Sequence, residues 1–156
     1  MTTTNDIGTL ASLRTLAERE SSPSLIDLFH VAEQQARLLR ELLATKADPL
    51  LIRLVDLIPS LCIDVLDAMP VGGTSFWGNE RWHIHLRQGD PTDFHHFTVL
   101  HQLKHIIDYP LRQRLSMVKD GDWEAVADYF AIRALGPPAK VEDVHKERRD
   151  AYESSR

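Results

Sequence analysis

Apolar positions recur with a period near 3.6 over the first and last thirds of the chain and with a period of two between them, a pattern that predicts an α+β fold, mainly helical with a small sheet. Residues 1–8 are polar and are expected to fray. From Thr9 to Glu20, Leu10, Leu13, Leu16 and Ala17 share one side of a short helix, which Ser21, Ser22 and Pro23 break. A stronger amphipathic helix follows. Leu25, Leu28, Phe29, Ala32, Ala36, Leu39 and Leu43 form its apolar stripe, opposite Asp27, Glu33, Arg37, Arg40 and Glu41. Such a stripe either packs on the core, the plainer reading, or presents a partner or dimer surface. Asp48 and Pro49 then read as N-cap and first residue of a third helix, with Leu50, Leu51, Leu54, Val55 and Ile58 inward until Pro59.

The period then changes. Leu61 to Leu66 and Trp82 to Leu86 read as short strands, with Gly72, Gly73 and the Gly78/Asn79 pair as turns, so a small antiparallel sheet is expected. Trp82, Ile84 and Leu86 share one face and His83 and His85 the other; the histidine pair is either exposed strand surface, the plainer reading, or a second metal site. Pro91, Thr92 and Asp93 start the next helix, whose back Phe94, Phe97, Leu100 and Ile107 can bury, and Asp108, Tyr109 and Pro110 end it. His95 and His96 fall in its first turn, where they read as solvated residues, the plainer reading, or as groups that help bind substrate or stabilise an oxyanion. Leu111 to Asp122 cross to a last helix that Gly121 and Asp122 start and Gly136, Pro137 and Pro138 stop. The tail from Lys140 to Arg156 carries five basic and five acidic residues, the signature of a solvated, charge-balanced helix.

At 156 residues the chain has the length of one domain, which buries enough surface to fold without staples. We divide it into an N-terminal helical segment (1–59) packed on the same domain, a core (60–138) and the charged tail (139–156). The net charge of −5 disfavours direct nucleic-acid binding, so a partner would have to supply any DNA contact. The single cysteine, Cys62, excludes an internal disulfide and, among Leu61, Ile63 and Val65, reads as a buried inert thiol. The N-terminus lacks a signal-peptide pattern and no run is long and apolar enough for a membrane helix, so a cytoplasmic protein is expected.

The chemistry concentrates between Phe97 and Leu135. In FTVLHQLKH, His101 and His105 stand four apart, which on a helix projects both imidazoles from one face at a spacing a tetrahedral Zn²⁺ accepts. With eight histidines in the chain, chance supplies about 0.4 such pairs, so the pair needs context. The context is EAVADYFAIRAL, where Glu124 and Asp128 also stand four apart within an apolar run. Carboxylates buried there need partners, which a metal and a metal-bound imidazole supply; a metal-free ion-pair network is the competing arrangement.

These two segments resemble the FTLAHELGH and ExxANxFAxxLLMP motifs of the ImmA/IrrE metallopeptidases, and the likeness covers roughly the C-terminal two-thirds of the chain. The resemblance implies a zincin-like fold, Zn²⁺ bound by His101, His105 and Glu124 with water in the fourth position, and Asp128 orienting a histidine. It also implies an edge strand that docks an extended peptide, and a partner such as a helix-turn-helix repressor. Two residues depart from the family's pattern. Gln102 stands where the general-base glutamate belongs and has no oxygen of comparable basicity, so peptidase activity is expected to be weak or absent. Lys104 replaces a small glycine and, pointing about 100° away from His105, is expected in solvent. The implied function is a regulatory pseudo-peptidase that binds a repressor. The alternatives are an active zinc endopeptidase that cleaves one, and a toxin–antitoxin or phage component that binds through the N-terminal helices.

Overall fold

The computed structural model describes residues 4–19, 21–44 and 47–136, which form five helices and a three-stranded sheet, an α+β fold. The first helix, α1 (Thr4–Thr15), starts earlier than its apolar residues suggest, because polar residues extend a helix into solvent without appearing in the hydrophobic pattern. It ends in tight turns from Ala17 to Arg14 and from Glu18 to Thr15. In α2 (Leu25–Leu43), Ser24 and Asp27 close a reciprocal capping box, and Leu28, Val31, Ala32, Ala36, Leu39 and Leu43 are buried. The stripe of α2 is therefore core. Helix α3 (Leu50–Leu57) starts one residue later than expected, with Pro49 at the N-cap position. It is short and lies at the surface, so only Leu50, Leu54 and the following Ile58 are buried, while Val55 is exposed.

The sheet is mixed rather than antiparallel. Strands β1 (Leu61–Leu66), β2 (Gly73–Gly78) and β3 (Arg81–Arg87) lie in the order β1-β3-β2, with β1 parallel and β2 antiparallel to the central β3. Of the glycines that read as turns, Gly72 precedes β2, and Gly73 and Gly78 are instead its ends. Gly73 is required there by a close approach, since a Cβ at this position would lie 2.3 Å from Thr98 Cγ2. The turn itself is Asn79–Glu80, both at positive φ, as a two-residue hairpin of right-handed twist demands. Ile84 and Leu86 are fully buried on the face toward the next helix, whereas Cys62, Asp64, Phe76, His83 and His85 on the opposite face are half-buried or exposed.

Helix α4 (Thr92–Arg114) runs straight through Pro110, where an end was expected. Pro110 has no N–H to give the Ile106 carbonyl four residues back, the usual reason a helix stops. Arg14 of α1 supplies the missing donor, its Nη2 lying 2.7 Å from Ile106 O and its Nε 3.3 Å from Ile107 O. Leu100, Leu103, Ile106 and Ile107 of α4 are buried, Phe97 is partly buried and Phe94 is exposed. Helix α5 (Asp120–Leu135) starts behind Lys119, ends at Gly136, and buries Trp123, Val126, Phe130 and Ala131. One cluster of buried side chains runs through all five helices and the sheet. Glu33 joins α2 to α5 through a two-pronged pair with Arg133, at 2.6 and 2.8 Å, and a hydrogen bond from Tyr129. The expected stop at Pro137 and Pro138 and the charged tail lie outside the described residues.

Candidate metal centre

The 3.6 period sets His101 and His105 on the side of α4 that faces α5, and the same period on α5 brings Glu124 and Asp128 to meet them. Glu124 bridges the two imidazoles, with Oε2 2.9 Å from His101 Nε2 and Oε1 2.9 Å from His105 Nε2. The two Nε2 atoms are 3.1 Å apart. On the far side of the His101 ring, Nδ1 meets Asp128 Oδ1 at 2.8 Å. The structure thus brings all four residues together, and His101, His105 and Glu124 form a group that could hold a metal ion.

The donor set fits a tetrahedral ion. Ligand atoms at bond lengths of about 2.0–2.1 Å around such an ion lie about 3.3 Å from one another; here the two Nε2 atoms are 3.1 Å apart, each has its own Glu124 oxygen at 2.9 Å, and one ligand atom from each residue lies within 4.8 Å of the others. With an ion bound, Asp128 would accept a hydrogen bond from Nδ1–H of His101 and leave the Nε2 lone pair for the metal. Burial holds the His105 imidazole below its ordinary pKa; Glu124 pulls it back up, while His101 adds to the lowering. The neutral form is the one that ligates. The carboxylates are not buried as their apolar neighbours suggested: the side chains of Glu124 and Asp128 are 57% and 54% exposed, whereas the imidazoles are 13% and 14% exposed. The site is a rim where α5 reaches water, and it opens one side to a ligand.

Gln102 lies beside this centre and is tied to β2. Its Oε1 accepts a hydrogen bond from Ser75 Oγ at 2.8 Å and its Nε2 donates to Gly73 O at 3.4 Å. Between the His101/His105/Glu124 group and β2 runs an open cleft of about 580 Å³, lined among others by Ser75, Trp77, Gln102, His105, Tyr109 and Glu124. Glu124 is the one carboxylate among the described residues that line it. The outer edge of β2 pairs with no strand among the described residues.

Lys104 corrects the expectation of a solvated cation. It is 2% exposed, with Nζ 2.6 Å from Asp108 Oδ1 and 2.7 Å from Gln35 Oε1. A position about 100° from His105 turns its side chain from the cleft into the contact with α2, where a carboxylate one helical turn on receives it. Gln35, fully buried, also donates to Leu13 O at 2.8 Å. Sequence reasoning missed this polar knot, although Gln35 sits within the apolar stripe of α2 and Lys104 and Asp108 stand four apart.

Other histidines are engaged as well. His95 Nε2 lies 2.7 Å from Arg87 O, and His83 Nε2 lies 2.8 Å from Gly78 O. Cys62 is half-buried on the open face of the sheet, with Sγ 3.6 Å from Asp64 Oδ2, and not inside the core. No family model, no curated protein and no solved structure matches this chain. What the fold and site define is an α+β chain with a His/His/Glu group compatible with a zincin-like HxxxH site.

Proposed function

We propose that this chain is a zinc-binding pseudo-peptidase of the ImmA/IrrE kind that holds an extended segment of a partner protein, such as a helix-turn-helix repressor, in the cleft beside β2. The observation that carries the reading is the gathering of His101, His105 and Glu124 into one group beside an amide at the base position. A zinc ion bound there would supply a Lewis acid able to polarise a peptide carbonyl. The chain's own residues set what can follow. His101, oriented by Asp128, and His105 and Glu124 would hold the ion. Gln102, with its oxygen occupied by the Ser75 hydroxyl, has no lone pair basic enough to take a proton, and no second carboxylate among the described cleft residues replaces it. The free edge of β2 offers backbone hydrogen bonds to an extended peptide, with exposed Phe76 and Trp77 beside it, and this mode of binding needs no proton transfer.

Elemental analysis and an activity assay test the two halves. Purified protein is expected to carry a zinc equivalent that disappears in His101→Ala/His105→Ala. Folded wild-type protein without it would sink the metal reading. On a quenched-fluorescence peptide library, Gln102→Glu is expected to cleave about 10²–10⁴-fold faster than wild type. Equal rates for the two proteins, with zinc bound in both, would overturn the impaired-base reading.

A further inference from the structure

We propose that Cys62, Asp64 and His83 form a second metal site, for a thiophilic divalent cation such as Zn²⁺, on the face of the sheet turned away from α4. It goes beyond the proposed function and does not depend on it. Three features of the sheet build it. Cys62 and His83 are register partners across the parallel β1–β3 pair, and Asp64 follows two residues along β1 on the same face, so the alternation of strand side chains delivers a sulfur, a nitrogen and an oxygen to one spot. One ligand atom from each lies within 4.8 Å of the others.

His83 is already held as a ligand would be. Its Nε2 lies 2.8 Å from the carbonyl oxygen of Gly78, which only accepts, so Nε2 carries the proton and Nδ1 keeps the lone pair. The Cδ2–Nε2 edge of the ring faces Gly78 on β2, and β1, with Cys62, lies on the other side of β3. Phe76 stacks on the ring at 4.9 Å with 10° between the planes, which fixes its tilt.

The donor set selects the cation. Thiolate with imidazole suits zinc and its softer neighbours and disfavours Mg²⁺ and Ca²⁺, and three protein ligands leave a fourth position open. Burial and the neighbouring Asp64 raise the pKa of the Cys62 thiol, with Arg81 opposing them. A bound cation displaces that proton and offsets the repulsion between thiolate and carboxylate. Bound metal would clip the edge strand β1 to β3.

The test uses Co²⁺ with the full chain and reads thiolate-to-cobalt charge transfer in the near ultraviolet. Because Cys62 is the only cysteine, that band cannot arise at the His101 centre. Expected is a band that saturates at one thiolate-bound cobalt per chain, with the same final intensity in wild type and in His101→Ala/His105→Ala. It should vanish in Cys62→Ser, and the affinity should fall at least about tenfold in both His83→Ala and Asp64→Asn, with circular dichroism unchanged. No band in folded wild type would overturn the site. So would unchanged affinity in either His83→Ala or Asp64→Asn, which would mean that the thiol binds cobalt without its neighbours.

Discussion

Two side chains in this structure stand where their chemistry looks misplaced, and each has a partner that explains it. Lys104 is buried because Asp108 and Gln35 receive its ammonium, and the second oxygen of Asp108 has no hydrogen-bond donor among the described residues. Removing the cation therefore strands a buried carboxylate. Lys104→Met is expected to destabilise the fold by about 3–5 kcal/mol in urea unfolding, and adding Asp108→Asn should recover part of the loss. If the single variant costs less than about 1 kcal/mol, the pair is not the anchor described here. Arg14 plays a complementary part by capping the Ile106 carbonyl that Pro110 leaves without a donor. Arg14→Met should cost about 1–3 kcal/mol, and distinctly less in a Pro110→Ala background, where the backbone N–H returns. Strict additivity of the two changes would contradict that coupling.

Among the elements, α2 and α5 form the contact on which the candidate site leans, since α5 carries Glu124 and Asp128. Their polar seam is Glu33 with Arg133. The Arg133 hydrogen bonds hold the Glu33 carboxyl far below its usual 4.5, at about 2, although burial pulls the other way. A carboxyl with a lowered folded-state pKa takes up its proton first in the unfolded chain, so its contribution is present above pH 4.5 and is lost as the pH falls toward 2. Stability measured by urea titration should decline across that window, and Glu33→Gln should flatten the decline; an identical slope in the variant would remove Glu33 as its cause. Much of this level was legible in the sequence. The stripe of α2, the break at Ser21, Ser22 and Pro23 and the histidine helix follow from local spacing and helix breakers. The end of α4 was not legible, because the donor that lets the helix pass Pro110 lies 92 residues away in sequence from the carbonyl it serves. Nor was β2, whose glycines carry no strand signal and whose pairing partner supplies the pattern.

For the whole molecule, the ligand positions were readable because helical periodicity is local, and Glu124 and Asp128 did meet His101 and His105. What spacing left open was the depth of the site: it placed the carboxylates in an apolar run, whereas Trp123, Val126, Phe130 and Ala131 of that run face the core and the two carboxylates turn to the rim, half in water. The same exposure leaves room for an ion to enter the folded chain. Zinc at a hundredfold excess over its dissociation constant should stabilise the protein by about 2.7 kcal/mol per site, roughly 5–10 °C in Tm at this size. The share due to the cleft centre should be missing from His101→Ala/His105→Ala in a thermal melt, and an undiminished shift there would place the ion elsewhere.

The parallel pairing of β1 with β3 has a consequence for the newborn chain. A ribosome delivers β1 first and β2 next, yet neither is the other's partner; both wait for β3, whose residue Trp82 pairs with Leu61 across the intervening hairpin arm. Until then β1, with Val65 and Leu66 exposed even in the finished fold, has both edges unpaired. Synthesis therefore passes through a stage at which the strand is sticky and its receptor does not yet exist. The rapidly closing Asn79–Glu80 turn ends that stage by folding β3 back on β2 and presenting, on its far side, the one edge that β1 fits.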